Sequence, residues 1–393
     1  MEAQTLRGKA AVAGVGETTY YRRGASPDPE TALALQAIIR AAQNAGLNPK
    51  DIDGFVSLRE DDTEHWDLAA SLGVKDLRFS ARPWGGGGGA GAGATAIAAA
   101  AIATGQARRV AVFRAISQKR HRHGQGSQAP TVSGWMALHA PYGELSPAQL
   151  YAPKIRRFMH DHGVNGEALR AIALAANRHA QANPRALMYG KPLTAADYDA
   201  ARFIVEPLRL YDCCLESDGA AAMIIVSPEE ARDGPNRPCF IVGAAMGSGH
   251  RNAAGAFGSP EFGESHFGSV APRLWAMAKV SPAEVDVAQC YDHFTGGVLM
   301  SLVDHGLVAA EAVNAFFTVE NLSAPGGRLP LNTSGGNLAE AHIHGVSLQV
   351  EAVRQVWGQS TSQVENVALS LSIAGSMTFM ASSVLFGSEE TVN

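Results

Sequence analysis

The chain runs to 393 residues, which at about 150 residues per domain is room for two or three modules or one large duplicated fold. Hydrophobic residues make up 46% and charged residues 18%, which excludes a disordered chain, while 7% aromatics and 42 glycines call for a core of small and aliphatic side chains. A net charge of −5, from 32 Lys and Arg against 37 Asp and Glu, offers no electrostatic footprint for nucleic acid.

The opening Met1-Glu2-Ala3-Gln4-Thr5 has no charged segment followed by an apolar one, so the expectation is a cytoplasmic protein. Residues 9–16 form a short apolar run closed by glycine, a buried strand. Residues 31–45 carry Leu33, Leu35, Ile38, Ile39 and Ala42 at helical spacing and stop at Gly46, a C-cap. A second strand is expected at 53–57. A glycine-rich segment from Gly85 leads into an alanine-rich helix ending near Gly105, and 109–115 reads as a central strand. The apolar stretch 90–104 is too short to span a bilayer. Four cysteines (Cys213, Cys214, Cys239, Cys290) make no disulfide framework.

The second half replays this order, with a strand at 238–243, a helix at 271–278, a helix at 346–357 after Gly335-Gly336, and a strand at 367–372. Pro49-x-Asp51-Ile52-Asp53 matches Pro282-x-Glu284-Val285-Asp286, each followed by a strand. A repeat this long predicts two similar α/β halves, 1–235 and 236–393. Residues 117–202 have no counterpart in the second half. They hold the basic run Lys119-Arg120-His121-Arg122-His123 and a helix from 166 to 182, and read as an insertion covering a site.

Five segments in this order resemble the thiolase superfamily, in its sterol-carrier or lipid-transfer branch. Gly88-Gly89-Ala90-Gly91 through Ile102-Ala103-Thr104-Gly105 has the spacing of the nucleophile segment. Asp212-Cys213-Cys214-Leu215-Glu216-Ser217-Asp218-Gly219 is similar to the strand closing the first half. Cys290-Tyr291-Asp292-His293-Phe294 stands where thiolases have N-E-A-F. Asn332 through Gly336 and His342-Ile343-His344-Gly345 fall where they have N-x-x-G-G and G-H-P-x-G, and Ser372-Ile373-Ala374-Gly375 where they have C-x-G-G-G. The resemblance implies the thiolase fold: two α/β halves, each with a mixed five-stranded sheet, in αβαβα layers. It also implies a homodimer and a small partner protein with an OB fold and a zinc ribbon.

The departures decide the chemistry. The nucleophilic cysteine position falls on Gly88 and the second cysteine position on Ser372, so both thiols are gone. Thiolysis stores its acyl group on a cysteine, which glycine cannot replace. What survives is equipment for an acyl-CoA enolate: charge stabilisation at the thioester oxygen and proton transfer at the α- and β-carbons. Retro-aldol cleavage of a β-hydroxyacyl-CoA needs only this. It is the activity implied by likeness to the steroid side-chain aldolases, with acetyl-CoA or propionyl-CoA and a ketone or aldehyde as products. Tyr291 matches the first tyrosine of their acid/base pair, and His342 replaces the second. With an ordinary pKa of about 6.5 against about 10, histidine is the better base near neutrality. His342 is therefore assigned the hydroxyl proton and Tyr291 the enolate.

Asp292, His344 and Gly336 are supporting residues in this reading. Asp292 either orients the loop or joins the chemistry, and His344 reads as a structural, hydrogen-bonded histidine. His342-x-His344 is a poor metal site without a third ligand, and no cofactor is expected beyond the coenzyme A that the substrate carries. The glycine run from Gly85 lacks the lysine of a phosphate loop and reads as a tight turn into a helix. Cys213-Cys214 reads as buried filler, and Cys290 as pointing away from Tyr291. The basic run 119–123 is either a contact for the coenzyme A phosphates or a solvated loop. Two other functions remain open: a thiolase-type acyltransferase with an unconventional nucleophile, and a non-catalytic lipid or acyl-CoA binding protein.

Overall fold

The computed structural model describes residues 5–83, 88–119, 136–249 and 260–392. The glycines 85–87 and the basic residues 120–123 singled out above lie outside the described residues. The strands are β1 (Ala11–Glu17), β2 (Tyr21–Arg22), β3 (Gly54–Val56), β4 (Phe79–Ala81), β5 (Val110–Ile116), β6 (Phe203–Val205), β7 (Leu208–Arg209), β8 (Ser217–Val226), β9 (Cys239–Gly247), β10 (Val287–Cys290), β11 (Leu369–Gly375) and β12 (Ala381–Gly387). One mixed sheet runs β10-β11-β12-β9-β1-β8-β5-β3-β4, with β2 beside β8, while β6 and β7 pair apart.

Two copies of one pattern are visible in this order. β3-β5-β8-β1 and β10-β11-β12-β9 have the same sequence of pairings: parallel, antiparallel, antiparallel. The repeated Pro-x-acidic segments form matching 3-10 turns, Pro49–Asp51 before β3 and Pro282–Glu284 before β10. Their last acids do the same job. Asp53 accepts the backbone N–H groups of Arg108 and Arg109 (both 2.9 Å), and Asp286 those of Ala368 and Leu369 (both 2.8 Å). Each carboxylate thus fixes the start of the neighbouring parallel strand.

The halves differ from the expected five strands apiece. In the first, β4 lies parallel beside β3 as the fifth. In the second, the place beside β10 is held by a single parallel bridge between Ala288 and Leu331, so four strands remain. Pro330, next to the bridge, has no N–H to extend a ladder. The two sheets meet edge to edge where β1 pairs with β9, Ala11 opposite Phe240 and Val12 opposite Cys239.

Helices Gly91–Ala103 and Val346–Trp357 pack against strands of both halves and form the middle layer. The first suits this place because its alanines leave it apolar and small on every side. Helix Glu30–Asn44 covers β1, β8 and β5 from outside, and helix Phe267–Ala278 covers β9 and β12. The result is the αβαβα layering of the thiolase fold. The insertion contributes helices Pro147–Asp161 and Gly166–Ala182, which pack on helix Thr295–Asp304 of the second half.

Candidate active site

Tyr291 is the first residue after β10, and its N–H donates to the Ile373 carbonyl (2.8 Å), continuing the β10–β11 ladder one step beyond the strand. Its side chain is buried, and the phenolic oxygen lies 2.8 Å from His342 Nε2. His342 sits in the link between helices Gly336–Ala339 and Val346–Trp357. Ser217, at the start of β8, brackets its backbone: the Ser217 hydroxyl accepts the His342 N–H (2.8 Å) and donates to the His342 carbonyl (3.2 Å). His342 Nδ1 is 3.6 Å from the sulfur of Cys214, and the His293 ring stacks on Tyr291 at 4.8 Å.

Burial, first of all, pushes the Tyr291 phenol well above its ordinary range, and the neighbouring Cys214, Tyr151, Glu60 and Asp292 act in the same direction. The phenol therefore stays protonated and donates to His342 Nε2, which leaves the proton of a neutral imidazole on Nδ1, facing the Cys214 sulfur. Burial also raises the Cys214 thiol, helped by Cys213, Asp292 and Glu216, so the sulfur is a thiol and not a thiolate. His293 is held neutral, its pKa lowered by burial to about 4.

Gly88 explains why a tyrosine stands here. Its φ is +83°, and a Cβ built on it would lie 2.6 Å from the Tyr291 phenolic oxygen and overlap the ring. The tyrosine ring fills the space that a side chain at residue 88 would need, so the missing thiol and the added phenol are one steric exchange. Ser372 does not line the cavity: it lies buried in the body of β11, opposite Gln289 and Val384. Ala374, two residues further along the same face, is the β11 residue beside Gly91 and Gly345.

Asp292 is fully buried and accepts the N–H groups of Asn337 (2.8 Å) and Leu338 (3.3 Å), holding the turn that leads to His342. Burial raises its carboxyl to about 6. Gly336 has φ +61°, and a Cβ there would overlap the Asp292 carboxylate. His344 (φ +48°) lies with its ring 5.0 Å from that of His342, and its Nδ1 accepts the Nε–H of Arg114 (3.1 Å). Arg114, in β5, is fully buried and pairs with Asp61 (2.8 Å) and Glu30 (3.4 Å).

These groups border a cavity of about 230 Å³, whose polar lining includes Tyr291, His293, His342, His344, Cys214 and Glu60. Its lining also includes the apolar Ile116, Pro147, Tyr151 and Phe294, of which Tyr151 and Phe294 pack against the His293 ring. Pro147 and Tyr151 belong to the insertion. Four residues here were misread or missed in the sequence. Cys213 and Cys214 are half-buried cavity walls and not filler, because the segment 213–215 lies along 293–294 and Asn337, with Cys214 N–H donating to the His293 carbonyl (2.9 Å). Glu60 and Arg114 carried no motif; an arginine inside an apolar strand run was the one available signal. Cys290 is buried, and burial raises its thiol. Among the described residues no group of three His, Cys, Asp or Glu side chains is placed to hold a metal ion.

Residues 247–387 match a family model described as thiolase C-terminal domain-like. The chain is 39% identical over 378 residues to a steroid side-chain-cleaving aldolase of Thermomonospora curvata, covering 94% of this chain and 96% of that one. It is 37% identical over 379 residues to a 17-hydroxy-3-oxo-4-pregnene-20-carboxyl-CoA lyase of Mycobacterium tuberculosis, covering 94% and 97%. Among solved structures, an Ltp2-ChsH2(DUF35) aldolase superposes with a TM-score of 0.90 at 37% identity over 98% of this chain and 99% of that chain. Human mitochondrial 3-ketoacyl-CoA thiolase shares the fold, with a TM-score of 0.69 at 13% identity over 98% of this chain and 100% of that chain.

Proposed function

The chain belongs to the thiolase superfamily, in the branch of the steroid side-chain-cleaving aldolases, and from that premise we propose that it cleaves a β-hydroxyacyl-CoA bearing a steroid or aryl side chain by a retro-aldol reaction. The products are a ketone or aldehyde and acetyl-CoA or propionyl-CoA. The observation that carries this reading is the Tyr291 phenol standing in the space of a side chain at Gly88, hydrogen-bonded to His342.

When substrate binds, its β-hydroxyl takes the place of the phenol as donor to His342 Nε2, and that nitrogen takes the hydroxyl proton. The electron pair of the Cα–Cβ bond moves onto the thioester as an enolate, and the β-carbon leaves as a carbonyl. Tyr291 donates its phenolic proton to the enolate carbon. The His342 imidazolium then returns its proton to the phenolate across their 2.8 Å contact, which restores both groups. No acyl-enzyme and no further cofactor enter this cycle. Asp292 and Gly336 act by holding the turn before His342.

An acyl transfer through Cys214 is disfavoured by its raised pKa, since the thiol and not the thiolate is present near neutrality. A silent lipid or acyl-CoA binding protein would make no use of the Tyr291–His342 bond. The proposal extends to a homodimer, supported by the resemblance and by β4 standing last in the sheet among the described residues, and to a small OB-fold and zinc-ribbon partner, supported by the paired name of the Ltp2-ChsH2(DUF35) aldolase. It also extends to the cytoplasm, in keeping with described helices that are none of them long and apolar enough to cross a membrane. We read the halves as 1–235 and 236–393.

The test is release of acetyl-CoA or propionyl-CoA from a tertiary β-hydroxyacyl-CoA, with and without a candidate partner. Tyr291→Phe and His342→Ala are each expected to lower kcat by about 100- to 10,000-fold. Unchanged turnover in both variants rejects the mechanism, and an acyl group found on Cys214 by mass spectrometry supports acyl transfer in its place.

A further inference from the structure

Arg114 is an unusual residue to find where it is. It points from the middle strand β5 of the first half, is 0% exposed, and takes with it the carboxylate of Asp61, also 0% exposed. Glu30, from the outer helix, completes the group at 3.4 Å. Buried ion pairs add little net stability over well-packed apolar side chains, because desolvation offsets most of the attraction. The group is therefore better explained by what it does to a further hydrogen-bond partner of Arg114, His344, a cavity wall beside Tyr291 and His342.

A guanidinium has donors only and is not deprotonated in proteins. A ring nitrogen 3.1 Å from Arg114 Nε must therefore accept, so Nδ1 of His344 carries no proton. An imidazolium would set one N–H against another. The ring is left neutral, with its proton on Nε2. Arg114 does not line the cavity and His344 does, so the arginine holds the ring from behind. Asp61 and Glu30 fix the guanidinium in turn. An N–H donor whose tautomer is set before substrate arrives suits a charge that appears only in the transition state.

We propose that His344 donates its Nε2–H to the thioester oxygen as the enolate forms, and that Arg114, with Asp61 and Glu30, is the positioning set that fixes its tautomer. His344 is then a third catalytic residue, distinct from the proton carriers Tyr291 and His342. The proposal deepens the retro-aldol reading and rests on it for the identity of the oxygen.

Two measurements on the full-length protein test it separately. In protein labelled with 15N-histidine, with the His344 signals assigned by their loss in His344→Gln, Nδ1 should show the shift of an unprotonated nitrogen and Nε2 that of an N–H. A protonated Nδ1 overturns the tautomer lock whatever the enzyme turns over. In the lyase assay, His344→Ala should lower kcat by roughly 100-fold with KM changed less than about threefold, and His344→Gln, which keeps an N–H at the Nε2 position, should recover about tenfold of that loss. Arg114→Met should lose kcat like His344→Ala and shift the His344 nitrogen signals towards exchange between tautomers. Full turnover in a folded His344→Ala, or a rise in KM with kcat unchanged, overturns the catalytic role. A wild-type protein that releases no acyl-CoA from any β-hydroxyacyl-CoA rejects the retro-aldol reading and leaves the nitrogen shifts to decide the lock.

Discussion

At the scale of single residues the site turns on an exchange of volume. Gly88 has room for nothing larger than hydrogen because the Tyr291 ring is already there. Gly88→Ala should therefore cost about 2 kcal/mol of stability through overpacking, and it should displace the phenol from His342. The expected outcome is a lower midpoint in thermal unfolding together with a loss of lyase turnover of the same order as that of Tyr291→Phe. An alanine variant with full turnover would show that the close packing is irrelevant. Tyr291 and His342 were legible because both fall at fixed places in motifs, 51 residues apart in sequence and one hydrogen bond apart in space. Arg114, Asp61 and Glu30 were not legible, since a charged side chain inside an apolar strand run has no partner until the fold supplies one. Cys214 was misread for a related reason: two adjacent cysteines in an apolar segment look like packing until their neighbours are known.

At the scale of elements, polar side chains at strand and helix ends do the tying. His305 joins helix Thr295–Asp304 to β12: its Nδ1–H donates to the Ser301 carbonyl (2.7 Å) and its Nε2 accepts the Ser383 hydroxyl (2.8 Å). Burial lowers its pKa from 6.5 to about 4. The unfolded chain then takes up the proton first, so the stability tied to the neutral ring is full above pH 6.5 and is lost as the pH falls to 4, about 3 kcal/mol in all. His305→Asn should flatten the pH dependence of the urea midpoint across that window, and an unaltered slope would show that the ring is protonated in the fold. Strands β1, β3, β5, β9 and β11 and the replay of one pattern were legible from glycine punctuation and hydrophobic runs, whereas their order in the sheet was not, because it depends on pairings between distant segments. The missing fifth strand of the second half was not, because Leu329-Pro330-Leu331 keeps an apolar look while the proline removes the N–H that a ladder needs.

At the scale of the whole molecule, Asp53 and Asp286 perform the same task in the two halves. Removing either carboxylate leaves two backbone N–H groups without their acceptor, so Asp53→Ala and Asp286→Ala should each cost about 1–3 kcal/mol in denaturant unfolding. The sites share no partner, and the double variant should equal the sum within about 0.5 kcal/mol. A large departure from additivity would mean that the halves do not respond separately. The same repeat sets Leu58 at the twin of the Tyr291 position, and Leu58 is fully buried in the core. Two identical subunits meeting about a twofold axis would be obliged to place the same side chain on both sides and so to carry two equivalent centres. Joining the copies in one polypeptide lifts that obligation: one post-strand position is free to hold the phenol while its counterpart is hydrocarbon.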